Sequence, residues 1–141
     1  MDKDFERQFN KAVAEIDVKI NKAVRAGALE LFSAIIKGTP VGQPSLWQSD
    51  APRGYTGGSL RGNWQTSIGS PITTEIDQKD SNGSSTIGKA ASVLNNANIA
   101  DQTIYFTNNL PYADRVEKGW SSQRPYGMVR VNVKLFEPQI F

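Results

Sequence analysis

YFTNNLPYADRVEKGWSSQRPYGMVRVNV, residues 105–133, is the stretch on which the fold class turns. Apolar and polar residues alternate from Thr103 to Thr107 through Ile104 and Phe106, the period of a strand with one face buried. Pro111 suits the first turn of a helix through Tyr112, Ala113 and Val116, and Gly119 marks its stop. After an aromatic, proline-bearing crossing, Val129, Val131, Val133 and Leu135 alternate with Arg130, Asn132 and Lys134, which predicts a final strand with one buried and one wet face. Strand, short helix, glycine stop and strand make a compact αβ unit, and the wet face points to an antiparallel sheet. No catalytic group stands out in it.

Working back toward the N-terminus, Asn63 to Ile76 reads as two strand segments: Trp64, Thr66 and Ile68, a break at Ser70 and Pro71, then Ile72, Thr74 and Ile76. The polar run Asp77 to Ser85 reads as a mobile hairpin tip, and Lys89 to Asn98 as a short, weak helix around Val93 and Leu94. Val41 to Gly58 has no period; it is rich in Pro, Gly and Ser yet carries Leu46, Trp47 and Tyr55. Structureless connections of that length are uncommon inside a domain unless they bind something.

The first 38 residues read differently. Phe5, Phe9, Val13, Ile16, Ile20, Val24, Leu31 and Ile35 recur mostly three or four apart, a helical period sustained for roughly nine turns or ~50 Å. Gly27 lies inside that pattern, where a bend or a close helix contact is expected, while Gly38 and Pro40 end it. So long a stripe exceeds what a core of the remaining residues can cover, and part of it is expected to pack on another chain. The whole is α+β: a long N-terminal helix plus a mostly antiparallel sheet with short helices packed on one face. A single domain is expected, organised as residues 1–38 (helix), 39–62 (extended loop) and 63–141 (αβ sheet module with a C-terminal tail).

Composition removes much chemistry. With no cysteine in 141 residues there are no disulfides, thiolate metal sites or thiol nucleophiles, and nothing demands an oxidising compartment. With no histidine, His-assisted serine and cysteine hydrolases, HExxH metal sites and the usual general base at neutral pH are gone. A formal net charge of +2 is too near balance for strong electrostatic binding of nucleic acid. The charged N-terminus and the lack of a long apolar run make a soluble, cytosolic protein the default.

The remaining local patterns have ordinary explanations. Asp114 and Glu117 fall on one helix face, but Asp114 to Lys118 is a common i,i+4 ion pair, and a solvated or interface ion network is the better reading of the group. Gln78 to Lys89 overlays a calcium loop through Asp80, Asn82 and Gly83, yet Gln78 and Lys89 stand where the first and last carboxylates belong. Gly54, Gly57, Gly58 and Gly62 lack the lysine and preceding strand of a phosphate loop. Arg61, Arg115 and Arg124 can be imagined lining a DNA passage, although a salt bridge is the better reading of each. Trp64, on an alternating strand, favours the core; Trp47 and Trp120, in irregular segments, suit an interface at least as well.

Taken in order, Thr39, Pro40 and Val41 after the long helix, then YTGGSLRGNW (Tyr55 to Trp64), then NNLPYADRVEKGWSSQRPYGMVRVNV (Asn108 to Val133) resemble the neck, head-tail joining and tail-completion proteins of tailed bacteriophages. The pattern is a TPV…TGxLRxxW segment followed by a YAxxVExG helix, with an insertion here between Val41 and Thr56. The resemblance implies a non-enzymatic structural virion protein, without cofactors, metal or membrane, that assembles as a homo-oligomeric ring at the head-tail junction after synthesis in the host cytoplasm. It further implies a connector or head-completion protein on one side, a tail terminator or tail tube protein on the other, and DNA passing through the lumen, bound non-specifically at most. A nucleic-acid-binding assembly adaptor is the alternative. The residues expected at interfaces are Trp47, Tyr55, Arg61, Trp120, Arg124, Tyr126, Phe136 and Phe141, the last closing an apolar tail from Phe136.

Overall fold

A computed structural model describes residues 2–42, 57–96, 98–99 and 101–140, with residues 137–140 described by backbone alone. In chain order the elements are α1 (Lys3–Gly38), α2 (Ser59–Gly62), β1 (Trp64–Ile68), α3 (Ser84–Asn96), β2 (Ile104–Asn108), α4 (Ala113–Glu117) and α5 (Val129–Ile140). The strands β1 and β2 pair antiparallel, Trp64 opposite Asn108 and Ile68 opposite Ile104. The architecture is α+β, with the long helix where the apolar period placed it.

The core lies at the C-terminal end of α1. Ile35 and Ile36 join Leu60, Trp64, Ala113 and Met128, with Leu31, Ile87, Phe106 and Leu110 packed around them. Phe106 stacks on Phe32 with ring centroids 4.1 Å apart and on Trp64 at 4.6 Å, so one aromatic column ties α1 to both strands. Trp64 is buried, as its place on an alternating strand predicts.

Four segments depart from the sequence reading. Val129 to Leu135 is helix rather than strand. Its half-buried positions, Val129, Val131, Asn132 and Phe136, follow buried Met128 at helical spacing, while Val133 and Leu135 are exposed. The reason is tertiary. The Glu117 carboxylate accepts from the amides of Met128 (2.6 Å), Val129 (2.8 Å) and Arg130 (3.2 Å), meeting the orphan donors of a helix N-terminus. At the other end Phe136 lies over Gly27 of α1, where an added Cβ would stand 3.5 Å from its ring.

Ile72 to Ile76 runs beside the sheet without joining it. Its carbonyls are taken by side chains instead: Asn109 Nδ2 donates to Ile72 O (2.9 Å), Gln65 Nε2 donates to Thr74 O (2.7 Å), and the Ile76 amide donates to Asn63 Oδ1 (2.8 Å). Side-chain amides therefore occupy the groups a third strand would need. The presumed hairpin tip is likewise ordered structure. Asp80 is buried, and α3 begins at Ser84, earlier than Lys89. The span 39–62, read as extended loop, includes the one-turn helix α2.

Candidate assembly surfaces

Among the described residues, two polar arrangements and two exposed apolar surfaces stand out. The first polar arrangement closes the C-terminus of α1. Thr39 is fully buried; its hydroxyl donates to Ile35 O at 2.7 Å and accepts from Trp64 Nε1 at 2.7 Å. Arg61 then reaches across: Nη2 donates to Thr39 O (2.6 Å) and Lys37 O (3.1 Å), Nε donates to Thr39 O (3.1 Å), and Nη1 donates to Ser81 O. Arg124 Nε donates to Gly38 O. Two guanidinium groups thus sit at the negative end of a long helix, the position the macrodipole favours for cations.

The second arrangement starts α3. Asp80 Oδ1 accepts from the Gly83 amide (3.1 Å), and Oδ2 accepts from the Thr86 amide (2.8 Å) and hydroxyl (2.7 Å). Burial alone would push this carboxyl up, but the Thr86 and Gly83 bonds and the nearby Arg61 charge outweigh it and hold its pKa below the ordinary value. Desolvation in turn lowers the Arg61 pKa, against the pull of Asp80. Gly58 adopts a left-handed backbone at φ +91°, with the Asp80 and Ser81 amides 2.9 Å from where a Cβ would lie; at Gly62 that position is 2.5 Å from Gln78 O. The close approach requires glycine at both. The GGSLRGNW segment, residues 57–64, is therefore a brace that fastens α1, α2 and the start of α3 together.

The first apolar surface is the N-terminal part of α1. Every residue from 2 to 20 is exposed, and Phe5, Phe9, Val13, Ile16, Ile20 and Val24 are each between 41 and 58% exposed. Full burial of such a side chain is worth about 1.5–3 kcal/mol, so leaving the stripe wet forgoes several kcal/mol. Long amphipathic helices owe most of their stability to a packed face, and nothing among the described residues packs on this one. The second surface is the crossing before α5, where Trp120 and Tyr126 are 73 and 77% exposed and the Arg115 guanidinium lies 5.4 Å from the Trp120 ring centre.

Of the residues expected at interfaces, Trp120 and Tyr126 are thus on the surface, and Phe136 is half-buried against α1. Arg61 and Arg124 direct their donors at backbone carbonyls of their own chain rather than outward. Trp47, Tyr55 and Phe141, with the insertion that carries the first two, lie outside the described residues. Lys118 and Asp114 form the expected ion pair at 2.8 Å, well exposed on both sides, whereas Glu117 caps α5 instead of joining that network. The organising roles of Asp80 and Glu117 escaped the sequence reading; the signals present were Asn82-Gly83-Ser84 at a helix start and a carboxylate at the end of α4. Among the described residues no acidic cluster suits a metal ion, and no helix is long and apolar enough to cross a membrane.

A protein-family model described as "HK97-gp10_like: Bacteriophage HK97-gp10, putative tail-component" matches residues 3–119. No curated protein and no solved structure matches the chain. The match covers most of the chain, including the long helix, the brace and both strands, and the chain belongs to this family of phage tail components.

Proposed function

We propose that this member of the HK97-gp10-like family is a neck or tail-completion subunit that joins head to tail by forming a ring around the DNA channel. Its role is structural rather than catalytic. One observation carries the reading: a helix stripe of Phe5, Phe9, Val13, Ile16, Ile20 and Val24 that, among the described residues, stands in water apart from the core. A ring requires each subunit to offer two different surfaces, one for each neighbour. The stripe and the Trp120–Tyr126 crossing are two such surfaces on one chain, and the tail beginning at Phe136 adjoins the first. A connector or head-completion protein on one side and a tail terminator or tail tube protein on the other complete the proposed setting. DNA in the lumen meets a near-neutral protein and is held non-specifically at most.

Electron microscopy of purified particles carrying a labelled copy tests this, together with the mass of the protein mixed with its connector and tail partners. Label at the head-tail junction and ring-sized assemblies are expected. A chain that stays monomeric with those partners and is absent from particles would sink the reading.

A further inference from the structure

We propose that the exposed stripe of α1 is covered, in the free protein, by the same stripe of a second copy lying antiparallel to it. This deepens the reading of the stripe as an assembly surface and names its first occupant. The spacing of Phe5, Phe9, Val13, Ile16, Ile20 and Val24 is four, four, three, four, four, the same from either end. At 100° per residue these six side chains fall within about 100° of the helix circumference, a single seam.

Laid antiparallel about a two-fold axis between Ala14 and Glu15, the seam matches itself without remainder. Phe5 meets Val24, Phe9 meets Ile20 and Val13 meets Ile16 of the partner, each twice. A two-fold contact demands such reciprocity, in which residue i touches j and j touches i. A stripe made only to face some other protein has no need of it.

Charge selects the direction. Residues 2–7 hold Asp2, Asp4 and Glu6 against Lys3 and Arg7, a net of −1, whereas residues 19–25 hold Lys19, Lys22 and Arg25, a net of +3. Antiparallel pairing sets the acidic end over the basic end and opposes the two macrodipoles; parallel pairing would stack +3 on +3.

Length selects the register. Gly27 and Leu31 continue the same seam toward the C-terminus and are half-buried there, with Phe136 of α5 over Gly27. In the proposed register the partner's Asp2 falls opposite Gly27, so the partner helix ends at the position that Phe136 of α5 reaches. A two-fold contact pairs two chains and stops, so the stripe reaches virion partners only when the pair dissociates.

The chain has no native cysteine, which makes a cross-linking test clean. Phe9→Cys and Ile20→Cys are prepared as separate full-length proteins, each is treated alone with a short bis-maleimide, and then the two are treated as a mixture after exchange. The mixture is expected to yield at least tenfold more cross-linked dimer than either protein alone, and light scattering of the unmodified protein to give twice the chain mass. Ile16→Asp, at an exposed position remote from the core, is expected to weaken the dimer at least tenfold while the melting profile keeps its shape.

Cross-linking of Phe9→Cys by itself indicates parallel helices and overturns the proposal. A monomer at tens of micromolar does the same. A ring-sized mass without the Phe9–Ile20 cross-link overturns the pairing while leaving the ring reading intact.

Discussion

The two ends of α1 obey the same helical period and meet opposite fates. From Leu31 to Gly38 the helix is enclosed: Ile35 and Ile36 are buried, and the terminal carbonyls are taken by Thr39, Arg61 and Arg124. From Lys3 to Val24 it runs out beyond the core with its apolar stripe wet. The difference is one of supply. Among the described residues the core gathers on the C-terminal part of α1, so the same kind of seam is packed at one end and stands in water at the other. An apolar pattern thus specifies that a face will be covered and leaves open by whom.

If that contrast is right, damage at the enclosed end should appear as lost stability. The largest effect is expected for Ile36→Ala, which empties a fully buried site and should cost about 2–5 kcal/mol in chemical denaturation. Next comes Thr39→Val, which keeps the shape but leaves the buried Trp64 Nε1 without its acceptor; a loss of roughly 1–3 kcal/mol is expected. Glu117→Ala removes the carboxylate that starts α5 and should cost about 0.5–2 kcal/mol, with hydrogen exchange rising first in residues 129–136.

The subtlest test is pH. Because the Asp80 carboxyl is held below its ordinary value, the unfolded chain takes up the proton before the folded one. Its contribution is therefore complete above about pH 4, the ordinary aspartate range, and declines as the pH falls toward the folded pKa. Denaturation midpoints followed from pH 6 to pH 3 should show this decline, and Asp80→Asn should remove that share of it.

How much of this was legible beforehand differs element by element. α1 was plain because a 3.6-residue period repeated over eight apolar positions has no competing explanation, and the surplus of stripe over core was already visible in its length. β1 and β2 followed from alternation in short runs. α5 was misread because Val129, Val131 and Val133 alternate as a strand does. What makes that segment helical is Glu117 at its start and the groove beside Gly27, and neither is near it in sequence.

Ile72 to Ile76 was misread for a related reason: Asn63, Gln65 and Asn109 occupy its backbone groups, and period-two spacing carries no trace of that. The brace shows the reverse case. TGGSLRGNW and Thr39 were visible as an ordered set, but that Arg61 closes the helix emerges only when Thr39, Ser81 and Lys37 converge on it.

The most direct test of the account replaces Phe9, Ile16 and Ile20 together by Ser and asks two things of the same protein. Stability of the core should stay near that of the parent, because all three side chains are exposed in the isolated chain. Incorporation into particles, measured by complementing a phage that lacks this chain, should collapse along with the yield of joined heads and tails. Full incorporation and normal particle yield with the three serines in place would contradict the claim that the stripe is an assembly surface.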